Sequence, residues 1–338
     1  MSPLILAIES SCDETSAAVL HGLQVKSNII ASQKVHEKYG GVVPELASRA
    51  HQQNIVPVVD QALKEANVSL REVDVIACTG GPGLNGALLV GMSYAKSLSL
   101  ATGIPLVFVD HMKAHILAHY LYRGENNSHV ELPMLCLTVS GGHTQIVLVT
   151  DPLEMKVVGK TIDDAAGEAF DKAGKVLGLP YPGGPHIDRL AKLGDSTAFK
   201  FAIPDTKGFD FSFSGLKTSL LYFLRDEVKK DADFISKNLA NICASYQDTI
   251  VKYLSKKLQE AIIEYRPASI SVAGGVSANS ELRSAIEKLS EQNGLQCLIP
   301  PFEFTTDNAA MIGAVGYFSY LSNNFSDLSE IPNPKAKI

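Results

Sequence analysis

Two stretches well over a hundred residues apart follow one pattern, and that repetition limits the possible folds more than any single motif does. The first is Leu4-Ile-Leu-Ala-Ile-Glu9, then Ser10-Ser-Cys-Asp-Glu-Thr15, then Ser16-Ala-Ala-Val-Leu20. The second is Leu135-Cys-Leu-Thr-Val-Ser-Gly-Gly-His-Thr-Gln-Ile-Val-Leu-Val149. Each reads as a strand, a tight turn of small residues and a second strand, with the alternation and β-branched content that strands favour. The turn Ser140-Gly141-Gly142 carries almost no side chain, so its backbone N–H groups can approach an anion closely. A third small-residue turn follows a buried-looking strand in Ile270-Ser-Val-Ala-Gly-Gly-Val-Ser-Ala-Asn279. The expectation is a fold built twice, gripping a ligand between the copies.

A chain of 338 residues exceeds what one core usually serves, so two domains are expected. Apolar residues make up 46% of it, which suits a globule. No apolar run reaches the roughly 18 residues of a membrane span. The start, Met1-Ser-Pro-Leu-Ile, lacks the basic region of a secretory signal. The five cysteines show no CxxC spacing, as expected of a protein in a reducing cytoplasm. Thirty basic against 36 acidic residues give a net charge of −6, which argues against gripping nucleic acid alone through a broad basic surface. A local basic patch, or a partner that supplies one, stays compatible.

Along the chain, strands alternate with helices. Residues 42–64 carry helical periodicity with a kink expected at Pro57, and a buried strand at 73–79 runs into Gly80-Gly-Pro-Gly-Leu-Asn-Gly86. A helix over 87–101, a strand over 104–109 and a helix from His111 to His119 follow. The polar segment 124–129 reads as a boundary. Beyond the second hairpin, helices are expected over 161–177, 187–193, 216–230 and 234–265, with residues 208–215 extended. A strand at 270–273, a helix after Asn279, a strand at 296–299 and a helix from about Asp307 to Leu321 complete the order. The tail from Asn323 is polar and Pro-containing, and is expected to be poorly ordered.

His111 and His115 lie four apart on a predicted helix, so both imidazoles project from one face. Spacing alone leaves core histidines and metal ligands both open. Asp110 ends an apolar strand just before them, and the C-terminal edge of such strands is where open α/β sheets bind ligands. Position 112 is Met, so the glutamate of an HExxH protease is missing. Asp307 reads locally as a helix N-cap; as a ligand it would complete a His–His–carboxylate set. No GxxxxGK[ST] occurs, which disfavours a P-loop ATPase. Asp163 or Asp164 stands near a helix start, and Asp164, Glu168 and Asp171 fall at i, i+4 and i+7. That spacing suits a solvated stripe or a ribose contact. Asp188 reads as a cap or a ligand contact. The phenylalanines of 208–215 are core residues or a stacking surface for a base.

Taken together the motifs resemble the bacterial TsaD family, within the Kae/TsaD/Qri proteins of tRNA threonylcarbamoyladenosine synthesis. The matching runs are Ile8-Glu-Ser-Ser-Cys-Asp-Glu-Thr15, Gly80-Gly-Pro-Gly-Leu84, the pair His111 and His115, and Val139-Ser-Gly-Gly-His-Thr144. Others are Asp163-Asp-Ala-Ala-Gly-Glu-Ala-Phe-Asp-Lys172, Tyr181-Pro-Gly-Gly-Pro185 and Asp210-Phe-Ser-Phe-Ser-Gly-Leu-Lys-Thr218. The series ends with Gly274-Gly-Val-Ser-Ala-Asn279 and Thr306-Asp-Asn-Ala-Ala-Met311.

The resemblance implies an α/β, two-lobed actin-like fold (ASKHA, of the Hsp70 and sugar-kinase type) with duplicated mixed-sheet domains. Lobe I is expected over 1–129 plus a helix at about 307–325, lobe II over 130–306, and a tail over 326–338. It also implies transfer of a threonylcarbamoyl group from threonylcarbamoyladenylate to N6 of adenosine 37 in tRNAs reading ANN codons, releasing AMP.

His111, His115 and Asp307 match the family's metal ligands, for iron or sometimes zinc. Thr138, Val139, Ser140, Gly141 and Gly142 match its substrate loop, and Asp171, Gly184, Asp188 and Asn279 further adenylate contacts. Glu9 and Asp13 are candidate general bases, with a substrate phosphate oxygen as a third choice. His119 matches no motif and is read as structural. A TsaB-like paralogue, a TsaE-like ATPase and a TsaC- or Sua-type supplier of the adenylate are the implied partners, in the cytoplasm and without a membrane. A zinc endopeptidase and a small-molecule kinase of the same fold are the rival enzymes, and an inactive scaffold the non-enzymatic one.

Overall fold

A computed structural model describes residues 2–33, 36, 39, 41–124, 129–203 and 206–338. In chain order the first elements are β1 (Leu4–Glu9), β2 (Thr15–His21), β3 (Gln24–Ala31), α1 (Pro44–Ala66), β4 (Val75–Gly81) and α2 (Asn85–Thr102). Next come β5 (Leu106–Asp110), α3 (His111–Leu117), β6 (Met134–Val139), β7 (Thr144–Asp151), β8 (Glu154–Lys160), α4 (Ala166–Val176) and α5 (Gly183–Ala191). The remainder are α6 (Ser214–Val228), α7 (Phe234–Tyr265), β9 (Ser269–Ala273), α8 (Ser280–Asn293), β10 (Gln296–Leu298) and α9 (Ala309–Leu321). Residues 125–128, within the segment read as a boundary, lie outside the described residues. The kink expected at Pro57 does not end the helix, since α1 continues to Ala66.

The chain forms two compact units, Met1–Val130 with Asp151–Met155 and Pro301–Ile338, and Glu131–Thr150 with Lys156–Pro300. Each is built on a five-stranded sheet, in the order β3-β2-β1-β4-β5 in one and β10-β9-β6-β7-β8 in the other. Read from opposite ends these are the same order. In both, the first strand pairs antiparallel with the second and parallel with the fourth. The repeat seen in the hairpins therefore extends through whole sheets.

In the first unit β1 is buried on both faces, which is why it reads as a continuous apolar run rather than an alternating one. Ile5 and Ala7 pack with α3 and α9, while Leu6 and Ile8 pack with α1 and α2. α9 lies close on the sheet because Gly313 and Gly316 have no side chain. A Cβ on Gly313 would stand 2.5 Å from Leu20 Cδ1, and one on Gly316 2.7 Å from Ala77 Cβ. The start of α9 is pinned too: Ala309 N–H donates to Ser16 Oγ at 2.9 Å and Met311 N–H to Asn308 Oδ1 at 3.1 Å. The cap is thus Asn308, not Asp307.

The tail corrects the expectation of poor order. Ser326 N–H donates to the Leu106 carbonyl at 2.7 Å, and Phe108 N–H donates to Ser326 Oγ at 2.9 Å. These bonds occupy β5, the outer strand of its sheet, which would otherwise present unpaired backbone groups. Further on, Asn333 N–H donates to the Gly80 carbonyl at 2.8 Å and Gly83 N–H to the Pro334 carbonyl at 3.3 Å. Gly81, at φ +150°, leaves no room for a Cβ beside Asn333 O.

In the second unit α4 begins at Ala166, later than the periodicity from Thr161 suggests. Residues 161–164 instead follow an isolated bridge between Thr161 and Phe211. Asp164 is therefore not part of a helical stripe with Glu168 and Asp171; it pairs with Lys172 at 2.6 Å. Phe211 and Phe213 are fully buried with ring centroids 6.2 Å apart, so the alternating phenylalanines are core. Their run is extended only around Phe211, because residues 207–209 make a turn with Gly208 at φ +53° and α6 starts at Ser214.

Asp163 holds that start. Its carboxylate accepts from Phe213 N–H at 2.8 Å and Ser214 Oγ at 2.8 Å, and also from Ser212 Oγ. Burial pushes the Asp163 carboxyl up, but these donors outweigh it and leave its pKa lowered. Its contribution is full above the ordinary aspartate value and is lost as pH falls through the lower native one. Asp163→Ala is expected to cost about 1–2 kcal/mol in a denaturant titration at pH 7, with the gap from wild type narrowing as the pH is lowered.

Candidate functional site

In the first unit the strand–helix junction after β5 fixes the histidine pair. Asp110 Oδ1 accepts from Met112 N–H at 2.9 Å and Lys113 N–H at 3.0 Å, starting α3 with His111 as its first residue. His111 and His115 then meet edge to face, with ring centroids 4.7 Å apart. Asp307, held just before α9, reaches both: its Oδ1 lies 3.4 Å from His111 Nε2 and 3.2 Å from His115 Nε2. One ligand atom from each of the three lies within 4.8 Å of the others. His119 falls in the short turn after α3, buried and outside this group.

Glu9 supports the pair from beneath. Its Oε2 accepts from Thr79 Oγ1 at 2.6 Å and lies 3.0 Å from His111 Nδ1, and its Oε1 accepts from Ser11 N–H. Fully buried and with both oxygens engaged, Glu9 is a support for His111 rather than a base open to substrate. With Nδ1–H donated to Glu9, the His111 Nε2 lone pair faces the Asp307 oxygen. Acceptor against acceptor requires a cation or a proton between them.

Metal–ligand distances of about 2.0–2.2 Å give ligand-to-ligand edges of about 2.8–3.6 Å across octahedral and tetrahedral coordination, so the 3.4 and 3.2 Å separations from Asp307 fit an ion. A carboxylate behind a ligating imidazole is the usual support of such a centre. Electrostatics agree. Burial pushes Asp307 up, yet the two histidines outweigh it and hold its carboxyl far below the ordinary range. Burial pushes His111 down, but Asp307 and Glu9 raise it well above the ordinary value.

Asp13 is half-buried on the neighbouring turn. Beside it Glu14, not singled out from the sequence, is pushed up to about 9 by burial together with Asp307 and Asp13. His51 of α1 clamps the same turn. Its Nε2 donates to the Cys12 carbonyl at 3.0 Å, and its Nδ1 lies 2.8 Å from Thr15 Oγ1. A single histidine in an ordinary amphipathic helix gives no sequence signal for such a role.

In the second unit the glycine turn is closed on itself. Ser140 N–H donates to the His143 carbonyl at 2.8 Å and His143 N–H to Ser140 Oγ at 3.0 Å. The Ser140 amide is therefore spent. The N–H groups of Gly141 and Gly142, both exposed, carry no partner among the described residues. The side chains of Thr138 and Val139 are fully buried, so only their backbone is available to a ligand.

Asp171 Oδ1 accepts from Gly183 N–H at 2.8 Å at the start of α5, the helix that also carries Gly184 and Asp188 four residues apart. Burial raises the Asp171 pKa, opposed by the amides of Gly183 and Gly184. Asp188 does not cap its own helix. Its Oδ1 accepts from Ser280 N–H at 3.2 Å and Ser280 Oγ at 2.8 Å, beside Asn279, which caps α8. The structure thus joins Asp171, Gly184, Asp188 and Asn279 through α5.

Two units with the same mixed-sheet order define the actin-like class. The chain is similar to full-length HypF in its phosphate- and nucleotide-bound form (TM-score 0.63, 14% identity, covering 96% of this chain and 47% of that one). It is also similar to component A of the (R)-2-hydroxyglutaryl-CoA dehydratase of Acidaminococcus fermentans (TM-score 0.54, 14% identity, 95% and 99% covered). At such identity these likenesses establish the fold.

The particular family follows from sequence. The profile of TsaD, tRNA N6-adenosine threonylcarbamoyltransferase, matches residues 24–314. Proteins carrying that description are 58% identical over 325 residues in Christiangramia forsetii, covering 96% of this chain and 95% of the relative. In Cytophaga hutchinsonii the identity is 54% over 338 residues, covering 100% and 97%. The chain belongs to the TsaD family and is a tRNA-modifying acyltransferase.

Proposed function

We propose that the chain moves the threonylcarbamoyl group of threonylcarbamoyladenylate to N6 of adenosine 37 in ANN-decoding tRNAs. One divalent ion, Fe2+ in the first instance and Zn2+ as the alternative, is held by His111, His115 and Asp307. The observation that carries the metal is the meeting of two imidazole Nε2 atoms on one Asp307 oxygen, with Glu9 behind His111. Bound there, such an ion supplies Lewis-acid polarisation and a template for substrate oxygens.

The remaining residues bind and orient. Gly141 and Gly142 offer amides to the adenylate's phosphate. Asp188 Oδ2 and the second oxygen of Asp171 accept from ribose hydroxyls, and Gly184 and Asn279 complete the contacts. The adenine amine attacks the carbamoyl carbon, the carbon–oxygen bond to AMP breaks, and AMP leaves with that electron pair. Since Glu9 is committed to His111, the proton lost from N6 goes to Asp13 or to the departing phosphate. Met112, standing where an HExxH protease needs glutamate, counts against the endopeptidase reading.

A TsaB-like paralogue and a TsaE-like ATPase belong to this reading, as does a cytoplasmic setting. Among the described residues no helix is long and apolar enough to cross a membrane. The test is mass spectrometry of nucleosides from unmodified ANN-reading tRNA incubated with the protein, the adenylate and those two partners. A threonylcarbamoyl mass on adenosine is expected. Unmodified adenosine in the complete mixture would overturn the reading.

A further inference from the structure

We propose that Gln247, on α7, is the positioning residue that sets how Asp188 and Asn279 face the nucleotide. The inference rests on the reading above that those two side chains contact the adenylate. Gln247 is 2% exposed, in a helix whose other buried positions there are mostly packing residues. Its Oε1 accepts from Asn279 Nδ2 at 2.7 Å. Its Nε2 donates to Glu281 Oε2 at 2.9 Å and to Asp188 Oδ1 at 3.3 Å.

The partners fix the direction of the amide. Turned over, its oxygen would face two carboxylates and its NH2 group would face another NH2 group. Asn279 is fixed in turn, because its Oδ1 accepts from Leu282 N–H at 2.9 Å. A single chain of donors therefore runs from the α8 backbone through Asn279 to Gln247 and on to the two carboxylates.

What this chain leaves over is specific. Asn279 has spent its oxygen and one amide hydrogen, so one N–H remains. Asp188 has spent Oδ1 on Ser280 and Gln247; among the described residues its Oδ2 has only Lys192 Nζ, at 3.6 Å. The subsite thus offers one aimed donor and one aimed acceptor, a pairing suited to a nucleoside and not to a bare anion. Without the Gln247 amide, Asn279 loses the partner that orients its NH2 group. Glu281 then loses its donor, and Asp188 Oδ1 is left with Ser280 alone, so the link that ties Asp188 to Asn279 is gone. A hydrophobic residue of the same length would fill the space but impose no direction.

The experiment uses the full chain with its proposed partners and compares Gln247→Met, Gln247→Glu and Asp188→Asn. Three quantities are measured: KM and kcat for threonylcarbamoyladenylate, the dissociation constant for AMP, and bound metal. Gln247→Met is expected to raise KM and the AMP constant about tenfold or more, as for loss of a buried hydrogen-bonding partner. Its kcat at saturation and its metal content should stay near wild type, a split that loosened packing alone does not produce. Gln247→Glu, which sets a third carboxylate against the other two, is expected to weaken AMP binding further.

If a variant is less stable, the rise in Tm on saturating AMP still reports affinity and is expected to shrink in both Gln247 variants. Wild-type AMP affinity in a folded Gln247→Met protein, with Asp188→Asn impaired, overturns the role of Gln247. Unimpaired AMP binding by Asp188→Asn overturns the underlying assignment of the subsite.

Discussion

Replacing His115 with alanine is expected to abolish metal binding and to lower threonylcarbamoyl transfer by about 10³-fold or more, the scale of losing several kcal/mol of polarisation and orientation. His115 is 2% exposed, so alanine also opens a cavity. Asp307→Asn keeps the volume and should lose activity with less effect on Tm, because it removes the charge that both Nε2 atoms face. Glu9→Gln leaves all three proposed ligands in place but weakens the support of His111, so a smaller loss, about 10–100-fold, is expected. The order Asp307 and His115 first, Glu9 second, separates ligand from support. Equal small losses in all of them would place the cluster in the core rather than in the chemistry.

The pH dependence of metal binding has a definite sign. In the ion-free protein Asp307 and Glu9 raise the His111 pKa well above its ordinary value. A proton therefore competes with the ion for His111, and metal affinity falls as the pH is lowered.

Gly167→Ala should displace the glycine turn of the second unit. A Cβ there would lie 2.5 Å from Ser140 O, 2.8 Å from Ser140 C and 2.9 Å from Gly141 Cα. All three are backbone atoms, so no rotamer change relieves the clash and the glycine turn itself must shift. Alanine is otherwise the better residue near a helix start by up to about 1 kcal/mol, so loss of helix stability is not the cause. A displacement of about 1 Å at a binding loop can cost about 100-fold, and the expected result is a rise of that order in KM for the adenylate with metal content unchanged. Isothermal titration with AMP reads it directly; unaltered AMP affinity would mean that the Gly141 and Gly142 amides do not hold the phosphate.

Much of the fold was legible because the chain repeats itself. Runs such as 4–8 and 135–137 are apolar on consecutive residues, and their shortness and flanking turns mark them as strands buried on two faces. The long period of 234–265 likewise allows little but a helix. Where the reading failed, neighbouring residues offered the same local chemistry and tertiary contacts chose between them. Asp307 and Asn308 are both good caps. Ser16 and Asn28 reach the amides of Ala309 and Ala310 and leave Asp307 to the histidines.

Asp164 keeps helical spacing with Glu168 and Asp171, but the Thr161–Phe211 bridge delays the helix past it. The tail is polar in its side chains and is held chiefly by its backbone, which composition does not report. Gln247 was missed for a related reason. Its partners lie 59, 34 and 32 residues away, and no spacing within α7 marks it.

The most direct measurement is the transfer rate of chelator-stripped protein as divalent metal is added back, with bound metal counted per chain. Activity is expected to be absent at first and to return as one ion binds, and neither should occur in Asp307→Asn. Full transfer by the stripped protein, or an unchanged ion count when His111 and His115 are both replaced, would contradict the metal centre proposed here.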